Sequence, residues 1–343
     1  MWVKDLRTLG YPAHLTANFS KTFGKPATKL AFADQEHLVI TFISADSDAP
    51  PSEQEGRPDS FRLRLHIVVL EKKSGEVDAK LDFPGSGGVI AGHDGKVVVR
   101  SGNKLTLYDM TLKVLKETDT KTPFADYSSP SGRFLLLEFS QGVHAQFRWI
   151  NSDTLETLHS FSDSISSQTI SETEVVGWRI PLGRPSDLVI RTPEDAGHAI
   201  NLKGLGAGSV AFVNDDALAI ASGYSPIQLI RRDGTLIESI TPRAHDFLSR
   251  ITPSAEGNRF AFTGSTIRNR SEILTPHQTW EYVQRVNVYD ISTHTFVADI
   301  KVNHSARNED FPLALAPNGS MLAFLDGEIL ELYRLPPAAE ANR

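Results

Sequence analysis

Three groups of residues in this chain have types and spacing that could carry chemistry. The first sets histidines beside carboxylates: His245 with Asp246, and His304 followed by Arg307, Glu309 and Asp310, with Asp126 and Tyr127 as a further station. An imidazole next to a carboxylate can hold a metal ion or exchange a proton near neutral pH. Ordinary hydrated loop residues would look the same. The second group is Arg268, Arg270, His277, Trp280 and Tyr282, within a stretch from 265 to 282. Arginine beside exposed aromatics is the composition of binding anchors; the plainer alternative is that Trp280 and Tyr282 begin a strand and pack inward. The third is the polar run 44–60, with five acids and one arginine. It could hold a cation or meet a basic partner, yet its Pro, Ser and Glu content equally describes a solvated loop. It lacks the Asp-x-Asx-x-Asx-Gly calcium pattern, so Asp46 and Asp48 carry no metal assignment.

Several chemistries are excluded. The 343 residues include no cysteine, which removes disulfides, thiolate catalysis and Cys-ligated zinc. There is no Gly-x-Ser-x-Gly elbow, no His-Glu-x-x-His helix and no phosphate-binding Gly-Lys-Ser/Thr loop. Gly204-Leu-Gly-Ala-Gly208 misses the dinucleotide spacing because residue 209 is serine, and it reads as a linker between strands. No motif calls for a cofactor. A formal charge of −7 argues against nucleic acid, whose binding needs a basic surface to displace counterions. No apolar run approaches the 18 or more residues that span a bilayer, and the N-terminal residues have no signal-peptide core.

The elements that must position these residues repeat. Seven segments place a short apolar run, a tight turn and a second apolar run in sequence, as in Leu30–Ile40, Val89–Val99 and Leu313–Phe324. Taking Asp34, Gly95, Gly132, Thr173, Asp215, Gly257 and Gly319 as turn markers, the steps are 61, 37, 41, 42, 42 and 62 residues. Four agree near 40. The two long steps each contain one irregular polar stretch, 44–60 or 265–282. A third strand often ends in an aromatic and a polar residue, as in Leu105-Thr-Leu-Tyr-Asp109 and Val286-Asn-Val-Tyr-Asp290. A fourth alternates, as in Val77–Leu81, Val114–Thr118, Leu155–His159 and Leu236–Ile240. A period of 40 to 45 residues with four strands is that of a propeller blade. The fold class is therefore all-β: seven four-stranded antiparallel blades over 28–335 of a single domain spanning 1–343, with a tail at 336–343. The seventh unit ends after its third strand, at Pro336-Pro337. Residues 14–23, with period-two apolar positions in Leu15-Thr-Ala-Asn-Phe19, are expected to supply its outer strand and close the ring.

With turns such as Ser129-Pro-Ser-Gly-Arg133 and strand ends such as Leu107-Tyr-Asp109, the chain resembles bacterial seven-bladed propellers of the WD-repeat-like and YVTN type. The Trp-Asp dipeptide of eukaryotic WD repeats is absent, although Gly92-His93 and Gly197-His198 match its Gly-His. The resemblance covers nearly the whole chain as an architecture and brings no catalytic residue with it. It implies a binding scaffold and favours an extracytoplasmic location.

Both insertions fall between second and third strands, in blades one and six, so they should emerge on one face beside blade seven. The leading expectation is a non-enzymatic module, expected to be monomeric, that binds a protein, peptide or glycan on that face. Its candidate residues are Arg268, Arg270, Trp280, Tyr282, Asp126, Tyr127, His245, Asp246, Arg307, Glu309 and Asp310. The alternative is a metal-assisted hydrolase or lactonase at the channel mouth, with His245, Asp246, Glu309 and Asp310 as ligands.

Overall fold

The computed structural model describes residues 1–11, 28–45, 63–139, 145–179, 187–195, 197–200, 208–222, 226–243, 247–248, 251–270, 279–302 and 312–337. They form seven antiparallel sheets. Blade 1 comprises Lys29–Phe32, His37–Ala45, Leu63–Glu71 and Val77–Pro84, and blade 2 comprises Gly87–His93, Lys96–Ser101, Lys104–Asp109 and Val114–Asp119. Blades 3 to 5 repeat the pattern up to Ile240. In blade 6 the inner position is split between Phe247–Leu248 and Thr252–Pro253. Blade 7 has Leu313–Leu315, Met321–Asp326 and Ile329–Arg334. Among the described residues no helix is long and apolar enough to cross a membrane.

The second strands explain why consecutive apolar residues are needed. Successive strand side chains point to opposite faces. Val97 and Val99 therefore pack toward blade 1, while Val98 packs toward blade 3. Leu135 and Leu137 face blade 2, and Leu136 faces blade 4. Each such strand is sandwiched between two neighbouring sheets. Seven apolar clusters result, one in every inter-blade interface including that between blades 7 and 1. Each fully buried Val, Leu or Ile contributes about 1.5–3 kcal/mol. The fourth strands alternate instead, as Val77–Pro84 does along its length, because one face meets water.

Strand ends are set by side-chain caps. The Asp109 carboxylate accepts the backbone N–H of Thr111 at 2.9 Å and of Lys113 at 3.0 Å. Asn151 and Asp290 do the same for the turns after their strands. This is why an aromatic followed by Asp or Asn recurs there: the short polar side chain closes the turn.

The ring is closed by an N-terminal strand, but an earlier one than expected. Trp2–Asp5 pairs with Ile329–Arg334 and supplies the outer position of blade 7. The stretch 14–23 lies outside the described residues. After Asp5 a single 3-10 turn, Leu6–Leu9, drives Leu6 into the cluster between blades 7 and 1.

Two further expectations change. The stretch 265–282 is not an irregular loop where it is described: Arg259–Arg270 and Thr279–Asp290 pair continuously from Arg259↔Asp290 to Arg270↔Thr279. The outer strand of blade 3 is Thr157–Asp163, not Leu155–His159, since Leu155 occupies the turn with φ 53° and is buried.

Candidate functional site

The inner strands surround a central cavity of about 470 Å³, lined by Lys29, Ala31, Asp126, Ser128, Thr169 and Thr252 among others. Inner strands start on the face that carries the connections between second and third strands, so Lys29 and Asp126 stand at that end of the channel. Arg100, near the end of its own second strand, reaches the same place.

Asp126 binds both cations. Its Oδ1 accepts from Lys29 Nζ at 2.8 Å, and its Oδ2 accepts from Arg100 Nε at 2.9 Å, with Nη2 at 2.8 Å. The three residues come from blades 3, 1 and 2, and the carboxylate is buried. Burial alone would push its carboxyl upward. The charges of Lys29 and Arg100, with their hydrogen bonds, outweigh this and hold it below the ordinary 3.8. Two cations against one carboxylate give this three-residue cluster a net positive charge. Lys29 is the more exposed cation, and a primary ammonium with three donors can serve a ligand carboxylate or hydroxyl as well as Asp126.

Beside it, the Tyr127 hydroxyl donates to Glu138 at 3.2 Å. Burial raises the Glu138 carboxyl above 4.5, and the tyrosine hydrogen bond only partly opposes this. Tyr127 also packs against the apolar cluster between blades 3 and 4, so it belongs partly to the scaffold.

The remaining candidates divide. Arg268, Arg270, Trp280 and Tyr282 lie on the long hairpin of blade 6, where Arg268 opposes Glu281, Asn269 opposes Trp280 and Ile267 opposes Tyr282. His245, Asp246, His277, His304, Arg307, Glu309 and Asp310 lie outside the described residues, as does 46–62. Among the described residues no group of three or more His, Asp or Glu is placed to hold a metal ion.

Sequence reasoning found Asp126 but not its partners. Lys29 opens an inner strand and Arg100 nearly ends a second strand 71 residues later, and neither belongs to a motif. The only signal is positional, since both fall at strand ends on the insertion-bearing face.

No protein-family model matches the chain, and no curated protein matches it in sequence.

Proposed function

We propose that this seven-bladed propeller, of WD-repeat-like and YVTN-type architecture, is a non-enzymatic recognition module. It takes a protein, peptide or glycan on the face carrying the 45–63 connection and the blade 6 hairpin. The observation that supports this reading is the length of that hairpin. Its two strands have 12 residues each, against five to seven in the equivalent strands of blades 2 to 5. At about 3.4 Å per residue the excess projects roughly 20 Å beyond its neighbours. Projections from a rigid scaffold are where recognition is usually built. Blade 1, with strands of nine residues, projects in the same direction from the other side of blade 7.

The test is a peptide and glycan array probed with the full chain and with a variant in which 266–283 is replaced by a four-residue turn. Specific array binding that disappears in the variant, at an unchanged melting midpoint, supports the reading. Binding that survives the replacement refutes it. A melting midpoint that rises with calcium, magnesium or zinc would favour the metal-assisted alternative instead.

A further inference from the structure

On the same face, blade 1 carries a row of side chains on three adjacent strands that the recognition reading does not use. Ser44 ends the second strand, His66 lies in the third and Asp82 in the fourth. Register sets Phe42, His66 and Asp82 side by side, and Ser44 stands two residues beyond Phe42 on the same face. The Ser44 hydroxyl is 2.7 Å from His66 Nε2, and His66 Nδ1 is 2.7 Å from Asp82 Oδ1. The ring is stacked on Phe42, with centroids 4.6 Å apart and planes at 16°. His66 is buried, whereas Ser44 and Asp82 are partly exposed.

We propose that Ser44 is a nucleophile served by His66 as general base and by Asp82 as its orienting carboxylate, and that it takes the acyl group of a carboxylic ester. The order of atoms is what the chemistry requires. Asp82 accepts the Nδ1 proton and fixes the tautomer, which leaves Nε2 as acceptor for the serine proton. Phe42 holds the ring in plane with both partners. Burial draws the imidazole below its ordinary 6.5, with Asp82 opposing and the nearby charges of Lys80 and Arg64 assisting, so the base is unprotonated at neutral pH. Arg64 stands directly opposite Ser44 in the sheet, and its positive charge acts on His66.

The step balances without a co-reactant. Ser44 Oγ bonds to the ester carbonyl carbon as its proton passes to His66 Nε2. The carbon–alkoxide bond breaks, and the imidazolium protonates the leaving alcohol. Water then attacks the acyl-serine and gives a proton to His66, the acyl–Oγ bond breaks to release the carboxylic acid, and the imidazolium returns that proton to Ser44 Oγ. This chemistry, if present, replaces the non-enzymatic part of the recognition reading but not binding at the hairpin of blade 6, so the two sites can fail separately.

The test treats the full chain with a fluorophosphonate, whose phosphorus the serine attacks with loss of fluoride, and locates the adduct by peptide mass spectrometry. The expected result is an adduct on Ser44, absent in S44A and formed at least about 100-fold more slowly in H66A. D82N should slow it while the protein stays folded, and the wild-type rate should rise with pH through a midpoint below 6.5. If H66A fails to fold, S44A and D82N decide the matter on folded protein. A structural hydrogen-bonded row would give no adduct at Ser44, or labelling indifferent to His66 and Asp82, and either result overturns the proposal.

Discussion

The indole N–H of Trp2 donates to the backbone carbonyl of Lys72 at 2.7 Å. One residue belongs to the outer strand of blade 7 and the other to the turn before the outer strand of blade 1. Lys4 repeats the link, its ammonium donating to the Gly75 carbonyl at 2.6 Å. The N-terminal strand thus completes the last blade and also ties it to the first. Removing residues 1–5 should expose the backbone edge of Ile329–Arg334, lower the melting midpoint and produce self-association on size exclusion. W2F keeps the apolar contact and loses one hydrogen bond, so about 1 kcal/mol is expected in a denaturant titration.

A second inter-blade link is charged and buried. Arg259 Nε donates to Asp290 Oδ2 at 2.8 Å within blade 6, and Nη1 donates to the Gly319 carbonyl of blade 7 at 2.8 Å. Both side chains are about 1% exposed. R259L leaves Asp290 buried without its cation and should cost about 3–5 kcal/mol. Asn at 290 can still cap the following turn, so R259L/D290N should recover part of that loss in equilibrium unfolding.

Two turn glycines, Gly132 between the inner and second strands of blade 3 and Gly102 between the second and third strands of blade 2, test how closely blades approach. Gly132 has φ 76°, and a Cβ there would lie 2.4 Å from the Gly92 carbonyl oxygen of the preceding blade. Gly102 has φ 58° and open space around it. Both changes to alanine pay for the left-handed backbone, of order 1 kcal/mol. Only G132A also forces two blades apart, so it should cost about 2 kcal/mol more than G102A by thermal melting.

Two carboxyls near the channel should give acid dependences of opposite sign. Asp126 is held below 3.8 when folded, so its contribution is complete above 3.8 and fades as pH falls through the lower folded value. D126N should flatten that acid limb. Glu138 is raised above 4.5, so the folded state retains its proton and loses stability as pH climbs through the raised value. E138Q should therefore be relatively more stable than wild type at pH 7 than at pH 4, read by denaturant midpoints.

Much of the architecture could be read from the chain because its cause is local. Runs such as Val97-Val-Val99 and Leu135-Leu-Leu137 are apolar at both parities, which only a strand buried on two faces requires. The closing strand was harder. Trp2-Val-Lys-Asp5 has a weaker alternation than Leu15–Phe19, and what fixes its place is a hydrogen bond to a residue 70 positions away. The hairpin of blade 6 was hidden for another reason. Residues such as Arg268-Asn-Arg270 show no apolar alternation in the sequence, and the backbone pairing with Thr279–Glu281 places them in strand. The site was least legible. Lys29, Arg100 and Asp126 meet only because three blades converge on one axis, and sequence spacing does not record that convergence.

The central claim, recognition on the face of the long hairpin, is tested most directly by hydrogen exchange of the full chain with and without the tightest array ligand. The account predicts protection concentrated in 263–270, 279–286 and the channel end around Lys29 and Asp126. Protection confined to the opposite face, at the turns around Gly132, Asp109 and Asp290, would contradict it.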